Sequence, residues 1–155
     1  SDDALFTIPH RKTRSVEIWS HMRDEPLAIL PFVKNGQFTQ AAILPGNEVL
    51  VVAGTGGYLS LQNLIDGTLL ASQKSQLLGL HALAVSPTGD RIAVGTSQEG
   101  VRLWSPDGKS ELLVLEPGHA ADLLAFSPDG ESLIAGTKDR LTLFRAPSWD
   151  DLEIE

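Results

Sequence analysis

The sequence predicts an all-β chain made of successive small antiparallel sheets, and three observations predict it. Ser86-Pro87-Thr88-Gly89 and Ser127-Pro128-Asp129-Gly130 are one turn written twice, 41 positions apart. Each turn follows a short apolar run (Leu83-Ala84-Val85; Leu124-Ala125-Phe126) and precedes a second run ending in Gly-Thr (Ile92 to Thr96; Leu133 to Thr137). A third, alternating run closes each copy, Val101-Arg102-Leu103-Trp104 and Leu141-Thr142-Leu143-Phe144. A period of about 40 residues holding several short strands is the signature of propeller blades, four-stranded sheets standing around an axis.

Taken as an anchor, the third run reveals two earlier copies, Val16-Glu17-Ile18-Trp19 and Leu59-Ser60-Leu61-Gln62, at spacings of 43, 42 and 40 residues. The chain therefore divides into four units, about 1–37, 38–79, 80–120 and 121–155, read together as a single propeller segment.

Within a unit each element has its own reason. The run before the Pro turn is apolar and too short for an average helix. Proline presets φ at the second turn position, and Gly or Asn near the turn's end accepts positive φ; Pro45-Gly46-Asn47 is the second unit's version. The Gly-Thr run (Val51 to Thr55 in the second unit) stops at punctuation: Gly56-Gly57, Glu99-Gly100 or Lys138-Asp139-Arg140. The third run sets Leu, Ile or Val on one face and Arg, Thr, Glu or Ser on the other, as a strand with one buried side does. A fourth strand follows in three units, at Pro26–Leu30, Leu69–Ser72 and Glu111–Leu115. Only the tail Trp149–Ile154 offers a competing helical pattern.

The turn Ala125-Phe126-Ser127-Pro128-Asp129-Gly130, the run Leu133 to Thr137 and the ending Val101-Arg102-Leu103-Trp104 resemble the WD40 repeat, well over residues 38–147 and weakly over 1–37. That resemblance implies a β-propeller of about four blades here, each of four antiparallel strands, with the ring incomplete in this chain. The departures are specific. The family often carries Gly-His before the first strand, Asp before the third and Trp-Asp at the end. Here Gly118-His119 lies too close to Phe126 for the usual spacing, and Ser follows Trp19 and Trp104. Asp139 stands in the expected turn of the last unit, and Glu99 takes that place in the third. An incomplete Asp–His–Ser/Thr–Trp network is expected, with the blades held by apolar packing between neighbours.

Composition narrows the function classes. Apolar residues at 42% and charged residues at 21% are globular values, which argues against disorder. A net charge of −8 argues against a nucleic-acid partner or an anionic membrane surface, since both need a basic face. With no cysteine, disulfides, thiol catalysis and cysteine-ligated zinc are excluded, which fits a cytoplasmic protein. No apolar run approaches the ~20 residues that span a bilayer. Ser1-Asp2-Asp3 is neither a start methionine nor a signal peptide, so a processed, trimmed or fragmentary chain is expected. The first unit lacks an innermost strand, its text beginning near Ala4–Ile8, and the last shows only three clear strands. Two arrangements account for that: the C-terminal part of a larger propeller, or a half-ring completed by self-association with a second copy.

No catalytic, cofactor or metal residues are assigned. Gly54-Thr55-Gly56-Gly57 lacks the Lys-Ser/Thr of a phosphate loop and is read as a strand turn. His10, His21, His81 and His119 fall in different units and do not converge as metal ligands must, and His81 is expected to be partly buried on a first strand. Ser86 and Ser127 are turn residues without a nucleophile elbow, and Asp90, Asp107 and Asp129 lack the EF-hand spacing of a calcium loop. Trp19, Trp104 and Phe144 at equivalent strand ends are read as packing between blades.

The dense basic cluster His10-Arg11-Lys12-Thr13-Arg14 precedes the third strand of unit one. Arg11, Lys12 and Arg14 are candidates for an acidic peptide or phosphate group, with Trp149, outside the repeat, as a further contact. The expected function is a noncatalytic scaffold that binds a protein or peptide partner. Arg145-Ala146-Pro147-Ser148-Trp149 resembles the ends of propellers attached to bacterial serine/threonine kinases, which implies the alternative of a regulatory or sensor module in a signalling protein. No kinase motif lies in the chain itself. A third reading, hydrolase or dehydrogenase chemistry at the propeller axis, needs convergent polar groups where the inner strands carry Ala, Leu, Val and Phe.

Overall fold

The computed structural model describes residues 4–10, 12–31, 38–54, 56–74, 79–116 and 118–145. Among them there are strands and turns and no helix. The first sheet holds β1 (Leu5–His10), β2 (Ser15–Ser20) and β3 (Ala28–Pro31). A second follows with β4 (Phe38–Ile43), β5 (Val49–Gly54), β6 (Tyr58–Asn63) and β7 (Leu69–Lys74). The third has β8 (Leu80–Val85), β9 (Ile92–Thr96), β10 (Val101–Trp104) and β11 (Glu111–Leu115). The fourth has β12 (Leu123–Phe126), β13 (Ser132–Gly136) and β14 (Leu141–Arg145). Every sheet is an antiparallel meander in chain order, the architecture of propeller blades. Several strands differ from the sequence reading in extent: β3 starts at Ala28 rather than Pro26, β4 at Phe38 and β8 at Leu80, each of these two ahead of its apolar run, and β7 continues past Ser72 to Lys74.

The turn chemistry holds in detail. At Ser127–Gly130 the Ser127 hydroxyl donates to Asp129, 2.5 Å, and the Asp129 carboxylate accepts from Glu131 N, 2.9 Å. Gly130 completes the turn at φ 77°. Ser105-Pro106-Asp107-Gly108 repeats the pattern between β10 and β11, with Ser105 donating to Asp107, 2.5 Å, and Asp107 accepting from Lys109 N, 3.0 Å. At the third unit's turn Thr88 Oγ1 donates to Asp90, 2.6 Å, and Arg91 Nε lies 3.2 Å from the same carboxylate.

Partial burial pushes the Asp90 carboxyl up, but hydrogen bonds from Thr88 and Ser86 and the Arg91 guanidinium outweigh it and hold the group at about 2. Its folded value thus lies below the unfolded one of about 3.9, so its contribution is present above pH ~4 and lost as pH falls through about 2. Asp90→Asn is accordingly expected to lose less stability than the wild type between pH 5 and pH 2. Urea midpoints measured across that range check this, and parallel acid sensitivity in the two proteins would refute it.

Three apolar cores join the four sheets in sequence. Val16, Ile18 and Leu30 pack with Leu50, Val52 and Leu64 between the first and second sheets. Val51, Leu59 and Leu61 meet Leu83, Ile92 and Val94 between the second and third. Ala93, Val101 and Leu103 meet Leu133 and Ala135 between the third and fourth. Side chains alternate across each strand, so odd and even residues of one strand serve opposite joints. Fully buried Ile18, Leu50 and Ile92 each contribute about 1.5–3 kcal/mol by transfer from water. Trp104 packs into the second joint and Phe144 into the third, as expected of strand-end aromatics. Trp19 instead stacks on Phe6, ring centroids 6.5 Å apart, on the face of the first sheet away from the second.

Candidate functional site

In a meander, alternate turns fall at opposite ends of the sheets, so the chain has two turn-lined rims. One rim carries the Pro turns, and these seat on one another from sheet to sheet. A Cβ at Gly89 would stand 3.6 Å from the Pro45 ring, and one at Gly130 would stand 3.2 Å from Ser86 Oγ. Arg91 Nη2 donates to the Gly130 carbonyl, 3.1 Å, while its guanidinium carbon sits 6.0 Å from the Phe126 ring centre. On this rim neighbouring turns touch, while Pro45, Pro87, Pro128 and the acidic Asp90, Asp107 and Asp129 stay exposed.

The opposite rim carries the β1–β2, β5–β6, β9–β10 and β13–β14 turns with the connections between sheets. Gly54 and Gly57 form one of these turns by a bond from Gly57 N to Gly54 O, 3.0 Å; Thr55 lies outside the described residues. The Gly118-His119 pair crosses the third sheet here. Gly100 N donates to the His119 carbonyl, 2.7 Å, and Ala121 N to the Thr96 carbonyl, 2.9 Å. Arg140 and Glu116 bridge the third and fourth sheets at 2.8 Å above a cavity of about 120 Å³ floored by Val101, Ala121, Ala135 and Phe144.

The basic cluster occupies the β1–β2 turn on this rim. Lys12, Thr13 and Arg14 are exposed, Arg14 adopts a left-handed φ of 54°, and the Thr13 and Ser15 hydroxyls lie 2.8 Å apart. His10 Nε2 lies 3.1 Å from Glu17 Oε1, close enough for an ion pair though not aligned as a hydrogen bond. Glu17 also accepts from the Trp19 indole, 2.9 Å; that bond and the His10 ring hold its carboxyl below the usual range despite partial desolvation. Of the four sequence candidates, Lys12 and Arg14 thus sit together on an exposed rim turn, whereas Arg11 and Trp149 lie outside the described residues.

The histidines remain apart: His10 on Glu17, His21 Nδ1 3.4 Å from the Ala4 carbonyl, and His81 4.0 Å from Asp122. His81 is exposed rather than partly buried as its strand position suggested, its ring lying over Gly79, where an added Cβ would stand 2.8 Å from Nε2. No group of three or more His, Asp or Glu able to hold a metal occurs among the described residues, and no described helix is long and apolar enough to cross a membrane. Sequence reasoning missed the two Arg clasps, Arg91 and Arg140. Their only signal was a charged residue just after a turn.

The chain superposes on the WD40 β-propeller domain of Doa1 with a TM-score of 0.76 at 16% identity, over 96% of this chain and 49% of that one. Its fold is that of a WD40 β-propeller. It is 31% identical over 110 residues to the Periodic tryptophan protein 2 homolog of Schizosaccharomyces pombe, covering 70% of this chain and 13% of that protein. It is also 31% identical over 90 residues to Eukaryotic translation initiation factor 3 subunit I of Aspergillus terreus, covering 58% of this chain and 27% of the relative. The WD40 segment therefore spans a minor part of the curated relatives it matches. No family model matches the chain.

Proposed function

We propose that this WD40 segment is a noncatalytic interaction scaffold, part of a larger propeller, that receives an acidic protein or peptide partner on the rim carrying Lys12 and Arg14. One observation carries the reading: a compact basic turn stands exposed on one rim of an otherwise acidic chain, while the turns of the other rim present exposed Asp90, Asp107 and Asp129. One relative is by its name a subunit of a larger assembly, which supports a protein partner. Arginine at such a turn suits carboxylate or phosphate groups, whose oxygens its guanidinium can meet in pairs. The neighbouring His10 and Glu17 define the edge of the patch.

Charge reversal at Arg11 and Arg14 is expected to abolish recovery of the partner in a pull-down while leaving the β-sheet circular dichroism intact. Undiminished recovery by the reversed protein removes the rim from the proposal. The kinase-attached module stays a second reading, favoured by the Arg145–Trp149 resemblance alone; an upstream kinase domain in the parent reading frame would decide for it.

A further inference from the structure

Thr13 lies within the basic turn between β1 and β2. Arg11 and Lys12 precede it and Arg14 follows, so three positive charges flank one hydroxyl in the chain. The same cations also precede Ser15, which makes the two hydroxyls equal in sequence. The structure separates them. Thr13 is exposed in the turn, whereas Ser15 opens β2 and is only 9% exposed. Thr13 Oγ1 lies 2.8 Å from Ser15 Oγ, a contact that an exposed hydroxyl exchanges for water at little cost. Arg14 holds φ 54°, which is disfavoured for a residue with a Cβ, so opening the turn onto an enzyme recovers part of its cost there. The serines of the Pro turns differ in both respects: Ser105 and Ser127 donate to Asp107 and Asp129, and Ser86 is wholly buried.

We infer that Thr13 is a phosphorylation site for a serine/threonine kinase that reads cations beside its acceptor, and that the phosphate closes this turn to the acidic partner. The kinase meets Arg11, Lys12 and Arg14 with carboxylates of its own, the complementarity that also draws the partner. In the transfer the Oγ1–phosphorus bond forms as the bond from the γ-phosphorus of a nucleoside triphosphate to its bridging oxygen breaks. The nucleoside diphosphate leaves, and the hydroxyl proton passes to a carboxylate of the kinase. The product carries about −1.5 to −2 charges at pH 7 and three acceptor oxygens. It therefore cancels most of the three positive charges and competes for the donors that a partner's carboxylates would use. The closure rests on the proposed partner site; the choice of Thr13 rests on exposure and local charge alone.

The whole chain, incubated with magnesium ATP and a purified serine/threonine kinase selective for arginine before its acceptor, provides the test. Mass spectrometry maps the phosphate, and retention on an immobilised polyglutamate peptide compares the two forms. One phosphate on Thr13 is expected, and Thr13→Ala, at an exposed position that leaves the β-sheet dichroism unchanged, is expected to lose it. Phosphorylation is expected to weaken retention about tenfold, with Thr13→Glu shifted in the same direction. No incorporation, or phosphate on Ser15 with Thr13 unmodified, overturns the assignment. A phosphorylated chain retained as well as the unmodified one overturns the closure. An unmodified chain that does not bind the peptide counts against the proposed partner site and the closure with it, while the mapping still decides Thr13.

Discussion

Gly100→Ala is expected to destabilise the chain by about 3 kcal/mol, from a left-handed backbone and an overpacked site together. Gly100 has φ 76°, and a Cβ there would stand 2.0 Å from the Leu115 carbonyl oxygen and 2.4 Å from that of Glu116. Both obstacles are backbone, so neither can swing aside, and the same residue donates its N–H to His119. A shift to relieve the clash therefore loosens the connection between the third and fourth sheets. Gly118→Ala provides the control. Its φ of 90° is equally left-handed, yet nothing lies within 4 Å of the added methyl. That variant is expected to lose only the backbone share, about 1–2 kcal/mol. Urea denaturation of the three proteins measures both values, and equal losses at the two glycines would refute the steric argument.

Gln62→Leu is expected to change stability in the other direction, by about 1–2 kcal/mol. Gln62 is 1% exposed between the first and second sheets, at the position that Trp104 and Phe144 fill in the later units. It faces the side of Leu50, opposite it in the ladder, where Val16, Ile18 and Leu64 complete an apolar core. Neither Nε2 nor Oε1 has a hydrogen-bond partner among the described residues. An amide so placed forfeits its bonds to water without replacement, whereas leucine fills nearly the same volume with nothing to satisfy. Gln62→Glu, which brings a charge to that spot, is expected to destabilise strongly. Thermal midpoints of the three proteins give the order Leu above Gln above Glu; a leucine variant no more stable than the parent would show that the amide is satisfied in solution.

Much of the fold was legible in the sequence because its signals are local. Ser127-Pro128-Asp129-Gly130 forms its turn from its own hydroxyl, carboxylate and glycine, and the Leu141–Phe144 alternation needs only one buried side to be read as a strand. What stayed illegible depends on neighbours distant in the chain. Arg91 looks like a surface charge until Gly130, 39 positions away, is brought beside it. Gly118-His119 missed the family's spacing, and its carbonyl's role toward Gly100 appears only once the connection is laid over the third sheet. Trp19 carries the same repeat position as Trp104, but no earlier sheet covers it among the described residues, so it stacks on Phe6 instead. The rim candidates Lys12 and Arg14 were visible as composition, while their separation from the clasped rim required the meander's alternation.

The three separate cores have a consequence for how the molecule comes apart. Since each sheet shares its apolar surface only with the sheets beside it, cohesion is passed along a line rather than pooled at a centre. Among the described residues the two middle sheets are gripped on both faces and the outer two on one. Damage at one boundary therefore frees everything beyond it while the remainder persists, and the weakest link, not the average, sets the length of the unit that stays intact.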